Sequence, residues 1–571
     1  VRFIRRVSRR NRSLSDRGAT NMMGFKKFLY RRLPTGQGVG VLAVTTAALL
    51  VAGPVAANLD AADSTNADQL WSGGGLGLDL TGAGVTVGVW ESSATGNWEI
   101  SDTHETFASY NSVTGLWDGP TRVSFGETPS GSYSGHATHV ASPLGGAHIP
   151  GKEQTWGAAP GVDIVSYSSS LVGTEIISET QIDISNHSYG NDLSGQPNNY
   201  GRYNWNSASL DNALFQRPKH LAFFAAGNDR AVVSFDYDTL SDYQTAKNNV
   251  VIGSVLDYTL DPHPVFNYDP YPVPGPTPPS PADGIATSWF SSYGPTDDGR
   301  LGVDLVANGD LLYSADDYGD TQYTYASGTS MASPNAAGTA ALLLEHWRNE
   351  NGGYTPDSAT QKGLLMHTAT NATAYGFGPD YATGYGLINA AEAAGHITES
   401  TSTPWAIRER HAWEDTLQDG DTLTIDLIGT GDPFKASLSW LDPAATYDFI
   451  NYTPNDRTPK LVNDLDIWVT DEYGNTFYPW ALDPDNPDAD ATRDDHNRVD
   501  NFTQVFVSTF WVGTELTLHI DHAGTLDGGS QDYALFITGA LLPSEFTPIP
   551  EPGSLALLGM GGLLVLRRRR V

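Results

Sequence analysis

The stretch from Gly328 to Pro334 reads GTSMASP and is followed directly by the apolar run NAAGTAALLLEHW. This pattern predicts a glycine-led turn that enters a helix, with the hydroxyl of Ser330 at the entry. The amides of a first helical turn have no acceptor within the helix, so they direct positive partial charge at an oxyanion formed beside that hydroxyl. A serine before a helical run is also a common N-cap. Taken alone, the segment fits either a nucleophile or a cap.

A serine nucleophile needs an imidazole that accepts its proton and a carboxylate that orients the imidazole. The segment GHATHVASPLGGA supplies His136 and His139, and one of the two is the expected base. The apolar pattern GVTVGVW, residues 84–90, predicts a buried strand that ends in Glu91. The sequence therefore offers an acid, a base and a nucleophile in that order. Read only as structure, Glu91 begins a loop and the histidines are hydrogen-bonded core residues.

Two other acids are alternatives for the orienting carboxylate. Asp102 and Glu105 flank His104 in SDTHETF. Neither of them ends an apolar strand as Glu91 does. Glu91 is therefore the favoured acid.

Four segments in this order, GHATHVA (135–141), FFAAGN (223–228), FSSYGPTDDGR (290–300) and GTSMASP (328–334), resemble the signatures of the subtilisin-like serine peptidases. The resemblance covers roughly residues 66–395, and the order acid, histidine, serine is the one that subtilisin itself has. It implies that His136 is the general base and Ser330 the nucleophile. It also implies that Asn228 and the backbone amide of Ser330 donate to the oxyanion, and that Glu91 takes the acid's place.

The same resemblance implies a primary specificity pocket between two walls. The wall residues are Ser188, Tyr189 and Gly190 on one side and Ala225, Ala226 and Gly227 on the other.

The glutamate departs from the family pattern, which has aspartate at this strand end. One extra methylene displaces the carboxylate, and a misplacement of about 1 Å can cost on the order of a hundredfold in rate. A shifted backbone would compensate. Sedolisin-type peptidases also use glutamate, but their serine motif and oxyanion aspartate differ from GTSMASP and AAGN.

Short apolar strands alternate with helical stretches from Gly84 onward, which predicts an α/β fold with a doubly wound parallel sheet. After the polar stretch TESTSTP the pattern changes to period-two strands between Gly, Asn and Asp turns, which predicts an antiparallel β-sandwich. The predicted organisation is a signal peptide with a basic extension (1–57), a catalytic domain (58–397), a linker (398–404), a β-sandwich domain (405–542) and a sorting tail (543–571).

The acidic loop DPDNPDADATRDD of the predicted sandwich is a candidate calcium site through hard oxygen ligands. Its weak candidate ligands are Asp485, Asp488 and Asp490. The loop lacks the EF-hand spacing and its glycine, and a solvated acidic loop is the alternative. No cofactor is expected to be required, with calcium as an option.

Charge and cysteine content exclude several classes of function. The 571 residues carry a formal net charge of −34, although residues 1–57 hold eleven Lys or Arg against one acid. An acidic body of this kind repels nucleic acid and anionic membrane surfaces. Cysteine is absent, which excludes disulfides, thiol chemistry and cysteine-based zinc sites.

Both ends of the chain read as address signals. Basic residues precede the apolar run VGVLAVTTAALLVAG and the cleavage-like site VAA at residues 55–57, which is typical of a secretory signal read by signal peptidase. The end IPEPGSLALLGMGGLLVLRRRR resembles a PEP-CTERM sorting signal. That resemblance implies an exosortase-type processing enzyme, transient inner-membrane anchoring and export in a Gram-negative bacterium. A plain tail anchor is the alternative.

The sequence therefore predicts an exported serine endopeptidase that hydrolyses polypeptides through Glu91, His136 and Ser330 and an acyl-enzyme intermediate. The alternative is a catalytically inactive surface binding protein on the same scaffold, in which the sandwich supplies the function.

Overall fold

The structure is a computed structural model that describes residues 58–92, 97–191, 193–256, 285–371, 376–404, 407–448 and 452–542. Residues 53–571 belong to one compact unit of the chain. The described residues all lie in this unit. The predicted signal peptide and the predicted sorting tail lie outside the described residues.

The first part of the chain alternates helices and strands. Its helices are α1 (Asn58–Ser64), α2 (Gly135–Gly145), α3 (Val172–Ser178), α4 (Trp205–Gln216), α5 (Thr329–Glu350), α6 (Ser358–Thr368) and α7 (Ala390–Ser402). Its strands are β1 (Thr86–Glu91), β2 (Ala108–Asn111), β3 (Leu116–Thr121), β4 (Val123–Phe125), β5 (Asp163–Ser168), β6 (Ile184–His187), β7 (Leu221–Ala225), β8 (Val250–Val255), β9 (Leu305–Asn308), β10 (Leu312–Ala315) and β11 (Tyr323–Ala326).

Seven of these strands form a parallel sheet in the order β4-β5-β1-β6-β7-β8-β9. The inner strands are almost completely buried, as the continuous apolar runs in the sequence predicted. Because every strand runs in the same direction, their carboxyl ends meet at one edge of the sheet. The predicted doubly wound α/β fold is confirmed.

Helices cover both faces of this sheet. On one face, α2 and α5 pack against the core that contains Val87, Ile184 and Ile252. On the other face, α3 and α4 close a smaller core around Trp90 and Phe224. Helices α2 and α5 approach closely because Gly338 lies against the carbonyl oxygen of Leu144, which an added Cβ would approach to 2.4 Å. The close packing holds the first turns of the two helices beside the same edge of the sheet.

The second part of the chain is antiparallel. Its strands are β12 (Arg410–Gln418), β13 (Leu423–Gly429), β14 (Phe434–Ser439), β15 (Asp464–Asp471), β16 (Thr476–Phe477), β17 (Phe502–Val507), β18 (Glu515–Ala523), β19 (Ser530–Thr538) and β20 (Ala540–Leu541). They form a four-stranded sheet, β12-β19-β14-β17, and a five-stranded sheet, β16-β15-β18-β13-β20. Leu438 and Ile537 of the first sheet share one core with Ile467 and Ile520 of the second. The predicted β-sandwich is confirmed.

The sandwich packs directly on the parallel-sheet part of the chain. Phe502 and Phe536 of the sandwich belong to the same apolar core as Leu364 and Met366 of α6. Deeper in the contact, the ammonium group of Lys247 donates to the carboxylate of Asp442, and both side chains are fully buried. The two parts are therefore joined by a continuous core that contains a buried ion pair.

The predicted linker at residues 398–404 is wrong for most of its length. Helix α7 continues to Ser402, and Ser400 is buried. The hydroxyls of Ser400 and Thr401 donate to the carbonyl oxygen of Ile397 at 3.0 and 2.8 Å, so the polar side chains are satisfied within the helix. The polar composition was misleading because these residues bond back to their own helix. The other predicted domain boundaries stay predictions.

Within the described ranges, no helix combines the length and the apolar character that a membrane-spanning helix needs.

Candidate active site

The first pair of the site joins the end of a strand to the start of a helix. Glu91 is the last residue of β1 and is buried. His136 stands in the first turn of α2, whose N-cap Ser134 accepts a hydrogen bond from the amide of Ala137 at 3.2 Å. Nδ1 of His136 lies 2.8 Å from Oε2 of Glu91. Because a carboxylate only accepts, Nδ1 carries the proton and Nε2 is left as the basic nitrogen.

Electrostatics at this pair favour the imidazolium ion. The negative charge of Glu91 raises the pKa of His136 above its ordinary value, against the opposing effect of burial. The other carboxylate oxygen, Oε1, is buried and has no hydrogen-bond partner in the described part of the chain. The charge of Glu91 is therefore compensated by His136. The orienting acid of a catalytic triad is paired with its imidazole in the same way.

The second histidine of the motif has a structural position. Nε2 of His139 lies 3.2 Å from the carbonyl oxygen of Thr324, and the ring is buried. Burial lowers the pKa of His139 to about 4. Of the two histidines, only His136 faces a carboxylate.

The alternative acids lie in other contacts. Asp102 accepts a hydrogen bond from the hydroxyl of Tyr133 at 2.6 Å. Glu105 pairs with Lys152 and accepts from the hydroxyl of Tyr323 at 3.0 Å. Glu91 is the one of the three that contacts His136.

Ser330 is not an N-cap. Gly328 occupies the N-cap position of α5, and Ser330 lies within the first turn. Its hydroxyl donates to the carbonyl oxygen of Ser188 at 3.3 Å, while the hydroxyl of Ser188 donates to the carbonyl oxygen of Ser330 at 2.9 Å. No hydrogen bond joins Ser330 to His136 among the described residues. The nucleophile candidate is thus bonded to the neighbouring strand end and not to the base candidate.

The register of the sheet explains how these groups come to the same edge. Trp90 of β1 is paired with His187 of β6, so Glu91 and Ser188 follow level with each other on strands about 4.8 Å apart. Ser330 is hydrogen-bonded to Ser188, and His136 to Glu91. The ends of β1 and β6 therefore position both His136 and Ser330 through hydrogen bonds.

Asn228 follows β7 at the same edge and contacts the start of α5. Its Oδ1 accepts from the backbone amide of Thr329 at 3.0 Å and from the hydroxyl of Thr329 at 3.1 Å. The backbone donor fixes which way the amide group points. Nδ2 lies 3.4 Å from the position of a Cβ on Gly328 and donates to no group in the described part of the chain. It is free to donate to an oxyanion beside Ser330.

The predicted pocket walls are the loops that follow two adjacent strands. Ser188, Tyr189 and Gly190 follow β6, and Ala225, Ala226 and Gly227 end and follow β7. Sequence reasoning missed the residue that connects them. Nε2 of Gln244 donates to the carbonyl oxygens of Tyr189 and Ala225, both at 2.9 Å. No motif in the sequence marks Gln244. It bridges Tyr189 and Ala225 only because its loop folds back to the ends of β6 and β7.

Thr329 is a second residue that the sequence analysis did not single out. Its hydroxyl accepts from the amide of Gly227 at 3.0 Å as well as donating to Asn228. It therefore connects Gly227 of the predicted pocket wall to the first turn of α5. Its place in GTS, one residue before Ser330, is a signal that could have identified it.

The three acids of the predicted calcium loop do not assemble. Among the described residues, no group of three or more His, Asp or Glu side chains has an arrangement that could hold a metal ion. Asp485 instead pairs with Arg457 at 3.0 Å. Asp485, Asp488 and Asp490 therefore do not form a shared metal site among the described residues. A calcium requirement of the protein stays a prediction.

A comparison with models of protein families shows to which family the chain belongs. The model described as "Subtilase family" matches residues 82–386, more than half of the chain. The chain belongs to the subtilase family. The members of this family are serine peptidases, so the resemblance seen in the four sequence motifs is confirmed.

Curated relatives of this subtilase are large. Tripeptidyl-peptidase 2 of Oryza sativa subsp. japonica is 27% identical over 293 residues, which is 48% of this chain and 19% of that protein. Tripeptidyl-peptidase 2 of Drosophila melanogaster is 33% identical over 110 residues, 19% of this chain and 7% of that protein. The chain thus spans less than a fifth of the length of these relatives.

Two solved structures are also similar to parts of this chain. The prenylagaramide maturation protease PagA is 21% identical with a TM-score of 0.38, and the match covers 55% of this subtilase and 94% of that chain. The self-cleaved protease domain of PatA is also 21% identical with a TM-score of 0.38, and the match covers 56% of this subtilase and 98% of that chain.

The C-terminus matches a second family model. Residues 548–570 match the PEP-CTERM protein-sorting motif. The motif implies export, sorting to the cell surface and processing by a sorting enzyme. The predicted sorting tail is thereby confirmed as a sequence motif, and its conformation lies outside the described residues.

Proposed function

We propose that this subtilase is a serine endopeptidase that cleaves polypeptides through Glu91, His136 and Ser330. The observation that carries the proposal is the 2.8 Å hydrogen bond between Glu91 Oε2 and His136 Nδ1. That bond leaves Nε2 of His136 as the proton acceptor at the edge of the sheet where Ser330 lies in the first turn of α5. Membership of a peptidase family supports the same assignment.

The proposed reaction is acyl transfer in two stages. Ser330 Oγ attacks the carbonyl carbon of a peptide bond, and Nε2 of His136 takes the hydroxyl proton. The C–N bond breaks as His136 passes that proton to the departing amine, which leaves an ester on Ser330. Water then attacks the ester with His136 as the base, and its proton returns to Ser330 Oγ.

The developing negative oxygen is stabilised by two donors in this proposal. They are Nδ2 of Asn228, which is free to donate, and the backbone amide of Ser330 in the first turn of α5. The hydroxyl of Ser330 turns from the carbonyl of Ser188 toward His136 by rotation about χ1 when the substrate enters. Catalytic hydrogen bonds are commonly long or misaligned before substrate binds.

One observation favours the competing hypothesis of an inactive binding protein. Ser330 Oγ is bonded to Ser188 and not to His136. Labelling the purified chain with a serine-directed fluorophosphonate separates the two hypotheses, because only an activated serine reacts. We expect labelling of the parent and none of Ser330→Ala. A Ser188→Ala control retains Ser330 and should still label. If the parent is folded, as shown by a cooperative melting transition, and is not labelled, the result supports the hypothesis of an inactive binding protein.

We further propose that the protein is exported by a Gram-negative bacterium. A signal peptidase would remove residues 1–57, and an exosortase-type enzyme would act at the PEP-CTERM tail after transient anchoring in the inner membrane. The PEP-CTERM match and the basic, then apolar, N-terminal sequence support this route. Fractionation of cells that carry the chain tests it, and retention of the intact 571-residue protein in the cytoplasm would contradict it.

A further inference from the structure

A cavity of about 190 Å³ lies between the parallel-sheet part and the sandwich. Its lining includes Phe377, Tyr385, Lys435, Trp480, Gln504 and Phe506. The amide of Tyr385 donates to the carbonyl oxygen of Asp304, the residue before β9. The cavity therefore borders the amino-terminal edge of the sheet, opposite the edge that holds Glu91 and Ser330.

Three aromatic rings form one side of the cavity. The rings of Trp480 and Phe506 are stacked with centroids 6.2 Å apart, and Phe377 meets both of them edge-on. The side chain of Phe377 is 58% exposed and stands at the rim. A cavity of about 150 Å³ lined by apolar groups is large enough to hold benzene. This one has room for a six-membered ring against the aromatic wall.

A cation without a carboxylate partner faces the same space. Lys435 donates to the carbonyl oxygen of His367 at 2.7 Å and forms no ion pair within the described part of the chain. Glu392 is the acid whose charge acts on it, but Glu392 is paired with Arg410 at 2.5 Å. Burial lowers the pKa of Lys435, as expected for an ammonium group that lacks a counter-ion. An anion in the cavity would supply one.

A second cation lies over the aromatic wall. The guanidinium group of Arg493 is 4.5 Å from the ring centroid of Trp480 and donates to the carbonyl oxygen of Phe506 at 2.7 Å. Arg493 is not one of the lining residues, so Lys435 is the cation of the described lining. The ammonium group of Lys435 is therefore the positive charge that the lining offers to an anionic ligand.

An unused acceptor completes the polar lining. Nε2 of Gln504 donates to the hydroxyl of Ser437 at 3.1 Å, which leaves Oε1 without a hydrogen-bond partner among the described residues. An acceptor next to a cation and an aromatic wall fits a molecule that carries an N–H donor, a carboxylate and a ring. These are the groups of an N-acylated aromatic amino acid, which is also the chemistry of the last residue of a peptide.

We propose that this cavity is a non-catalytic site for an N-acylated aromatic α-carboxylate. Lys435 pairs with the carboxylate, Oε1 of Gln504 accepts from the amide N–H, and the ring packs against Trp480 and Phe506. The site does not depend on the peptidase reaction. Its ligand is either a small acid of this kind or the C-terminal residue of a peptide.

Calorimetric titration tests the proposal on the full chain with Ser330→Ala, which prevents hydrolysis of peptides. We expect N-acetyl-phenylalanine to bind at least tenfold more tightly than N-acetyl-phenylalaninamide, which has the same shape without the charge. Equal binding of the two, or no heat from either, would overturn the proposal. Triglycyl-phenylalanine distinguishes the sources, because it binds if the site reads peptide ends and fails to bind if the site takes only small acids.

Substitutions locate the binding to the cavity. Lys435→Met should weaken N-acetyl-phenylalanine at least tenfold, whereas Lys219→Met removes a lysine elsewhere and should leave the affinity unchanged. Unchanged affinity in Lys435→Met would contradict the assignment. If Lys435→Met does not fold, Phe377→Ser at the exposed rim takes its place, with weaker binding expected and unchanged binding as the contradicting result.

Discussion

Oε2 of Glu91 lies 2.8 Å from Nδ1 of His136, although the acid ends β1 and the histidine lies in the first turn of α2. The family pattern has aspartate at this strand end, one methylene shorter. The hydrogen-bond distance is normal, so the separation between β1 and α2 suits the longer side chain. Glutamate at this position therefore reaches the histidine, and a compensating shift of the backbone stays a prediction.

Shortening the acid should lower activity. In Glu91→Asp the carboxylate retracts by about one methylene and loses contact with His136, so we expect kcat/KM for a peptide substrate to fall on the order of a hundredfold. Steady-state kinetics at neutral pH measure this change, and the melting temperature serves as the control for folding. Activity equal to that of the parent would show that the spacing does not matter for catalysis.

Removing the charge of the acid should also move the pH profile. Glu91 raises the pKa of His136, and catalysis needs the neutral imidazole, so the parent loses activity as the pH falls through that raised pKa. In Glu91→Gln the pKa of His136 drops, and the acid limb of kcat/KM should shift to lower pH. The maximal rate should fall by roughly 10³ to 10⁴ because the imidazole is no longer held in one tautomer. An unshifted acid limb would mean that another group controls it.

Loss of the proposed oxyanion donor should affect kcat more than KM. In Asn228→Ala both Nδ2 and the acceptor for Thr329 are removed, and we expect kcat to fall about 10²- to 10³-fold. Asn228→Asp is the matched control, because it keeps an acceptor for Thr329 and lacks the donor. A similar loss in both variants assigns the effect to Nδ2. Near-parental kcat in Asn228→Asp would instead assign it to positioning of α5.

The buried ion pair between the two parts of the chain should be costly to break on one side. Removing the charge in Lys247→Met leaves Asp442 buried and unpaired, so we expect the free energy of unfolding to fall by about 3–5 kcal/mol. The double variant Lys247→Met, Asp442→Leu should recover much of that loss, because no buried charge remains. Urea denaturation of the parent, the two single variants and the double variant gives the interaction free energy between Lys247 and Asp442. Additive effects would show that the two groups do not interact.

Stability should fall in acid because of histidines between α6, α7 and the sandwich. Burial lowers the pKa of His396 to about 3, while an unfolded histidine has a pKa near 6.5. Between these values the unfolded state binds the extra proton, so stability is complete above about pH 6.5 and is lost as the pH falls below it. His396 alone contributes up to about 1.4 kcal/mol per pH unit in this window.

His396→Gln tests that contribution. Glutamine keeps an N–H donor for the carbonyl oxygen of His411, which Nε2 of His396 contacts at 3.0 Å. Urea denaturation at pH 7, 6 and 5 should show a weaker dependence of stability on pH than in the parent. An unchanged slope would exclude His396 from the acid response.

The motifs were sufficient to predict the fold class, and they selected the candidate residues of the site. The continuous apolar pattern before Glu91 predicted a buried parallel strand, because both faces of such a strand are covered. The glycine and small residues of GTSMASP predicted the helix entry of Ser330. The linker was mispredicted because a polar composition does not exclude a helix, and the hydroxyls of Ser400 and Thr401 are satisfied within α7 by the carbonyl oxygen of Ile397.

The sequence by itself determined the alternation of strands and helices, the change to an antiparallel sandwich and the chain order of the candidate residues Glu91, His136 and Ser330, because these depend on local periodicity and residue type. Only the tertiary structure decided that Glu91 and not Asp102 or Glu105 meets His136, that Ser330 bonds to Ser188, and that Gln244 bridges the pocket walls. Those contacts join residues far apart in the chain, and they are fixed by sheet register and helix packing, which no local pattern encodes.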